Sequence, residues 1–153
     1  MATKPTHEQA QLHLQVYDLR REAKLREARD WFQQNYRAET FEEATKLMTP
    51  GTESWSNVGK VLGYWEQACA LLNYGLLHEG LFFETSGEFY GVWERIRNVL
   101  PEFRKQFDKT MLSNLEKAAT RYEEWSEKRS PGSIAKMREW MKPEKPAVKA
   151  ARN

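Results

Sequence analysis

What this chain of 153 residues lacks says much about it. It has one cysteine, Cys69, so neither an intramolecular disulfide nor a cysteine-rich zinc site is open to it. That count suits a reducing compartment, and the apolar neighbours of Cys69 make it a small core residue. No run of eighteen apolar residues occurs, which excludes a transmembrane helix of ordinary length. The start, MATKPTHEQAQ, is polar and has no signal-peptide pattern, so the expected location is cytoplasmic. Glycine and proline number eight and six, and β-branched residues are few, which disfavours strands and long loops.

The chemistry-bearing motifs are missing too. The three histidines are His7, His13 and His78, and the first two lie about 240° apart around a helix. His78-Glu79 is followed by Gly-Leu-Phe, so there is no H-E-x-x-H. There is no phosphate-binding G-x-x-x-x-G-K-[ST], no G-x-G-x-x-G and no G-x-S-x-G. An arginine four to six residues before a histidine, a helical-bundle ribonuclease signature, is absent as well. No catalytic residue, metal ligand or cofactor is therefore assigned.

Alanine, glutamate, lysine, arginine, leucine and glutamine dominate, alongside six Trp, six Tyr and seven Phe. Such a composition predicts an all-α single domain of six or seven unequal helices over residues 6–142, with loose termini at 1–5 and 143–153. The net charge of +2 is unevenly spread. Residues 51–100 carry three basic and six acidic groups, whereas 101–153 carry thirteen and eight.

The most apolar window, Asn57 to Leu76, holds only Lys60 and Glu66 as charges and reads as a central helix over about 56–75. Ser54 or Ser56 is its expected cap, Gly75 its exit, and Gly59 with Gly63 a flat strip for a close helix crossing. Before it, the segment after Thr6 is either one helix bent near Arg20 to Lys24, preferred because no glycine or proline stands there, or two helices with a tight break. Thr40 and Glu43 form a capping box for Phe41 to Met48. After it, 78–85 reads as a short helix or turn and 87–98 as a helix. The stripe Phe103, Phe107, Met111, Leu115, Ala118, Tyr122 and Trp125 predicts one long amphipathic helix over about 102–128. It could bury itself within the chain or pair with a second copy. Ser133 to Met141 is a last short helix.

Four pieces in order carry a resemblance: Leu25-Arg26-Glu27-Ala28-Arg29, Tyr64-Trp65-Glu66, Gly75 through Phe83 with Gly87, and Trp93-Glu94-Arg95 leading to Pro101. Across about residues 20–107 the chain resembles the uncharacterised bacterial proteins of the domain-of-unknown-function 4760 family. It departs from some members in lacking a membrane-spanning N-terminal helix. The resemblance implies an all-α fold and brings no activity or catalytic residue.

Two candidate regions remain. Glu66 lies in the least polar helix, where a carboxylate needs a partner. An ion pair with Arg29 or Arg95 is the expected arrangement, and a perturbed acid in a ligand pocket the alternative. Glu42/Glu43 and Glu123/Glu124 read as solvated faces. The basic C-terminus, +4 over residues 130–153, offers Ile134, Lys136, Met137, Arg138, Trp140 and Met141 as an interaction surface. The first reading of this region is a solubilising tail plus a helix docked on the bundle; as an interaction surface its partner would be a protein, a second copy, or an anionic membrane or nucleic acid. Residues 88–97 hold two arginines and two glutamates, a poor recognition helix for DNA. The reading that results is a non-enzymatic structural or interaction protein, with a helical ligand binder or enzyme second.

Overall fold

The computed structural model describes residues 3–142. The expected tail beyond Lys142 lies outside them. They form nine α-helices and no strand. The fold class is all-α, with two more helices than the upper expectation because two long stretches break.

The first break divides the N-terminal region into α1 (His7–Arg20) and α2 (Ala23–Asn35). Thr6 starts α1 through a capping box with Gln9. A bent continuous helix was expected, but the Glu22 carboxylate accepts the amide of Leu25 at 2.9 Å and opens a new helix. A carboxylate can cap even where no glycine or proline interrupts the chain. Ala28 and Phe32 bury one face of α2.

Helix α3 (Phe41–Leu47) begins at the expected Thr40/Glu43 capping box. Helix α4 (Glu53–Asn73) starts earlier than expected, because Thr52 rather than Ser54 or Ser56 accepts the amide of Trp55. Its exit is at Gly75, where φ is +76°. The Gly75 amide reaches Leu72 O and the Leu76 amide reaches Leu71 O, the paired bonds of a left-handed helix stop.

Val58, Val61, Leu62, Trp65, Ala68, Cys69 and Leu72 bury one broad side of α4. The opposite side is open. A Cβ placed on Gly59 or Gly63 would meet nothing within 4 Å, so the close crossing expected there does not exist. Helices α2, α3 and α8 are the main neighbours of α4.

Helix α5 (Glu79–Thr85) is capped by His78, whose Nδ1 accepts the Leu81 amide at 3.1 Å. Helix α6 (Glu88–Ile96) buries Phe89, Tyr90, Val92 and Ile96. The rings of Phe82, Phe83, Phe89, Tyr90, Tyr122 and Trp125 form a continuous aromatic cluster between α5, α6 and the later helices.

The expected long helix is the second break. It divides into α7 (Leu100–Gln106) and α8 (Ser113–Arg129). Asp108 accepts both the amide and hydroxyl of Thr110, and Leu112 is left-handed at φ 54°. Local side-chain bonding of this kind competes with helix. Phe107, a member of the expected stripe, falls at the end of α7 and is 71% exposed. Helix α9 (Ser133–Met141) matches its expected bounds and packs on α8, with Ile134 buried.

Candidate functional site

Glu66 is occupied by another helix rather than by an arginine. Its Oε1 accepts the Asn114 amide and Nδ2, both at 3.0 Å, and its Oε2 accepts the Leu115 amide at 2.8 Å. The residue at the head of α8, Leu112, has no side chain able to accept a bond. Glu66 therefore supplies from α4 the cap that α8 lacks, and its negative charge faces the positive end of that helix dipole. The same device starts α9. Glu127 of α8 accepts the amides of Gly132 and Ile134 at 2.9 and 3.1 Å, and these bonds lower its pKa.

The expected partners of Glu66 are engaged elsewhere. Arg29 grips Glu88 with Nε and Nη2, a two-pronged contact between α2 and α6, and donates to Arg20 O. The bonds to Glu88 raise its pKa. Arg20 approaches the same carboxylate at 3.7 Å. Arg95 donates from Nη1 to Phe32 O and Gln33 O, both at 3.1 Å, and stands over the Phe32 ring. It thereby satisfies the last carbonyls of α2.

The proposed C-terminal surface is divided by the docking of α9. Ile134 is buried, Met137 packs against the core, and the Met141 methyl lies against Gly91. Lys136 and Trp140 stay exposed, Trp140 by 87%. Arg138 enters a polar knot. It donates to Glu94 at 3.0 Å, to Glu123 at 2.9 Å and to the Tyr90 hydroxyl at 3.1 Å. Tyr90 O–H is 2.7 Å from both Glu94 and Glu123, and Arg97 binds the other Glu94 oxygen. Burial opposes ionisation of Glu94, but the bonds from Arg138 and Tyr90 and the nearby arginines outweigh it and set its pKa low. Burial and the two carboxylates push the Tyr90 hydroxyl strongly up. Glu123 is thus not the free surface group expected, whereas Glu42 and Glu43 are exposed.

These helices enclose an open cleft of about 530 Å³. Residues 36–39 form one wall, Glu94, Arg95, Arg97 and Asn98 the second, and Ala135, Arg138, Glu139, Met141 and Lys142 the third. Five of these side chains are cationic and three anionic. Arg97 and Arg138 bind Glu94, and Lys142 binds Glu139. Arg37 and Arg95 have no carboxylate within 4 Å among the described residues. Burial and the neighbouring Arg37 charge depress the Arg95 pKa. Tyr36 is fully buried in the wall, its hydroxyl has no partner among the described residues, and burial pushes its pKa up to about 12.

Sequence reasoning missed Tyr36 and Arg37, which stand in a short connection with no motif. The nearest signal was the pair of arginines on one short helix at Arg95 and Arg97.

Nothing in this arrangement resembles an activated nucleophile. Cys69 is buried and its thiol is pushed well above the ordinary range by burial. His13 meets Thr85, and burial lowers its pKa. Among the described residues no three His, Cys, Asp or Glu side chains group as metal ligands, and no helix is long and apolar enough to cross a membrane.

No curated protein and no solved structure matches the chain. A family model does, over residues 5–122, which adds α1 and most of α8 to the stretch on which the resemblance rested. The chain belongs to the family described as domain of unknown function DUF4760.

Proposed function

We propose that this protein is a non-enzymatic binding module whose working face is the cleft between residues 36–39, α6 and α9. The observation that carries this reading is the pair Arg37 and Arg95. They are two cations on a concave wall without a carboxylate of their own among the described residues. Concave sites of about 300–1,000 Å³ with a few convergent polar groups are the usual seats of small ligands. The alternative built on Glu66 loses its support, because all its hydrogen bonding goes to the start of α8.

A fluorine-labelled fragment library, followed by mapping of amide shifts, tests the reading. Perturbed amides should cluster at residues 36–39, 94–98 and 135–142. Ala135→Trp, which fills the cleft from an exposed position, should remove those shifts. Shifts confined to another face, or none at all, would overturn it.

A further inference from the structure

We infer that Arg37 and Arg95 form an oxyanion site, and that the ligand of the cleft is a small molecule presenting a carboxylate or phosphate group. This rests on the cleft being the working face. Both guanidinium groups converge on one atom: Gln33 O accepts from Arg37 Nη2 at 2.8 Å and from Arg95 Nη1 at 3.1 Å. Arg37 is anchored again on Tyr36 O and Arg95 on Phe32 O. Two like charges are therefore held side by side by backbone carbonyls. The carbonyls are the negative end of α2, worth about half an elementary charge against two cations.

Donors remain for a ligand. Arg95 Nε and Nη2 and Arg37 Nε make no hydrogen bond among the described residues. A guanidinium presents its N–H groups in a planar fork that fits the paired oxygens of a carboxylate or phosphate. An oxyanion between the two arginines would bring the missing negative charge and relieve their repulsion. The cleft also favours a small ligand over a nucleic-acid backbone. Its volume of about 530 Å³ is that of a small-molecule site.

Inorganic phosphate and succinate, titrated separately at constant ionic strength, test the site by amide shifts and the Arg95 Nε–H resonance. At least one should give saturable shifts at residues 36–39 and 94–98. Arg37→Ala should weaken that binding by about tenfold or more, as loss of a direct charged contact does. Arg95→Lys, which keeps the charge and loses the fork, should weaken it as well while preserving the fold. Saturation by one anion alone identifies the ligand group. No saturation by either, or affinity unchanged in Arg37→Ala, would overturn the inference. Neutral fragments bound in the cleft together with silent anions would sink the oxyanion site and leave the binding module standing. An oligothymidylate that binds more tightly than both anions, with steep salt dependence, would refute the small-molecule assignment.

Discussion

Two pairs of arginines are tied to α2, and their surroundings differ in one respect. Arg20 at the end of α1 and Arg29 in the middle of α2 share the carboxylate of Glu88, with side chains only 16% and 19% exposed. Beyond the C-terminal end of α2, Arg37 and Arg95 share only a backbone carbonyl among the described residues. The first pair is a closed structural joint between α1, α2 and α6. The second has the same cations and, among the described residues, no anion. What the contrast teaches is that a charge serving only the fold is matched within the chain, because leaving it unmatched off water is expensive. A pair left open beside a cleft is a candidate for work outside the chain.

The sharpest way to break the comparison is at Glu88. Glu88→Ala strands two mostly buried arginines, and removing one partner of such a group costs about 3–5 kcal/mol. The melting temperature should fall by about 10 °C or more. A fall of under about 2 °C would mean that the joint is no more structural than the open pair.

Glu66 supplies the next largest effect. Glu66→Ala leaves the first amides of α8 without an acceptor, and hydrogen bonds to charged groups are worth about 1.5–3 kcal/mol. Hydrogen exchange should accelerate at Asn114 and Leu115 more than at the centre of α4. Uniform acceleration would point to core damage rather than a lost cap.

These two glutamates also show how much of the molecule the sequence made legible. Apolar spacing located α6 and α9, the Thr40/Glu43 capping box located α3, and the Gly75 stop was readable from one residue. The breaks were not. Glu22 opens α2, and Asp108 holds the turn between α7 and α8, by side-chain bonds that an uninterrupted apolar stripe conceals. Glu66 was marked as a carboxylate needing an arginine, and its bonds go to a helix start 48 residues away. Pairing of acids with arginines is a rule about charge, and a helix N-terminus carries charge that no residue letter shows. For the same reason the cleft was invisible. Arg37 and Arg95 lie 58 positions apart and meet only because α6 packs against the end of α2.

Acid titration should distinguish the closed cluster around Glu94 from the open pair. Its folded pKa lies below the ordinary value of 4.5. The unfolded chain therefore takes up its proton first as pH falls, and stability rises with pH through that window. The contribution of Glu94 is complete above about pH 5 and disappears as pH drops through the folded pKa. Urea midpoints of wild type should fall between pH 5 and pH 3 by more than those of Glu94→Gln. Equal slopes would show that Arg138 and Tyr90 do not hold this carboxylate.

The smallest effect is the most informative. Arg37 is exposed at the rim of the cleft, and its removal takes one cation away from Arg95 at the cost of two bonds to carbonyls that water can replace. Arg37→Ala should therefore leave stability within about 0.5 kcal/mol of wild type, shifted upward if anything. Arg95→Ala should cost more, since its stem packs against Phe32 and its donors satisfy two carbonyls at the end of α2. The decisive comparison is Arg37→Ala measured beside Arg29→Ala in the same buffer without added phosphate or carboxylate. A near-neutral Arg37 change and a strongly destabilising Arg29 change would establish that one pair is spent on the fold and the other is not. If Arg37→Ala also lost more than about 1 kcal/mol, both arginine pairs would be structural, and the cleft would have no charge to spare.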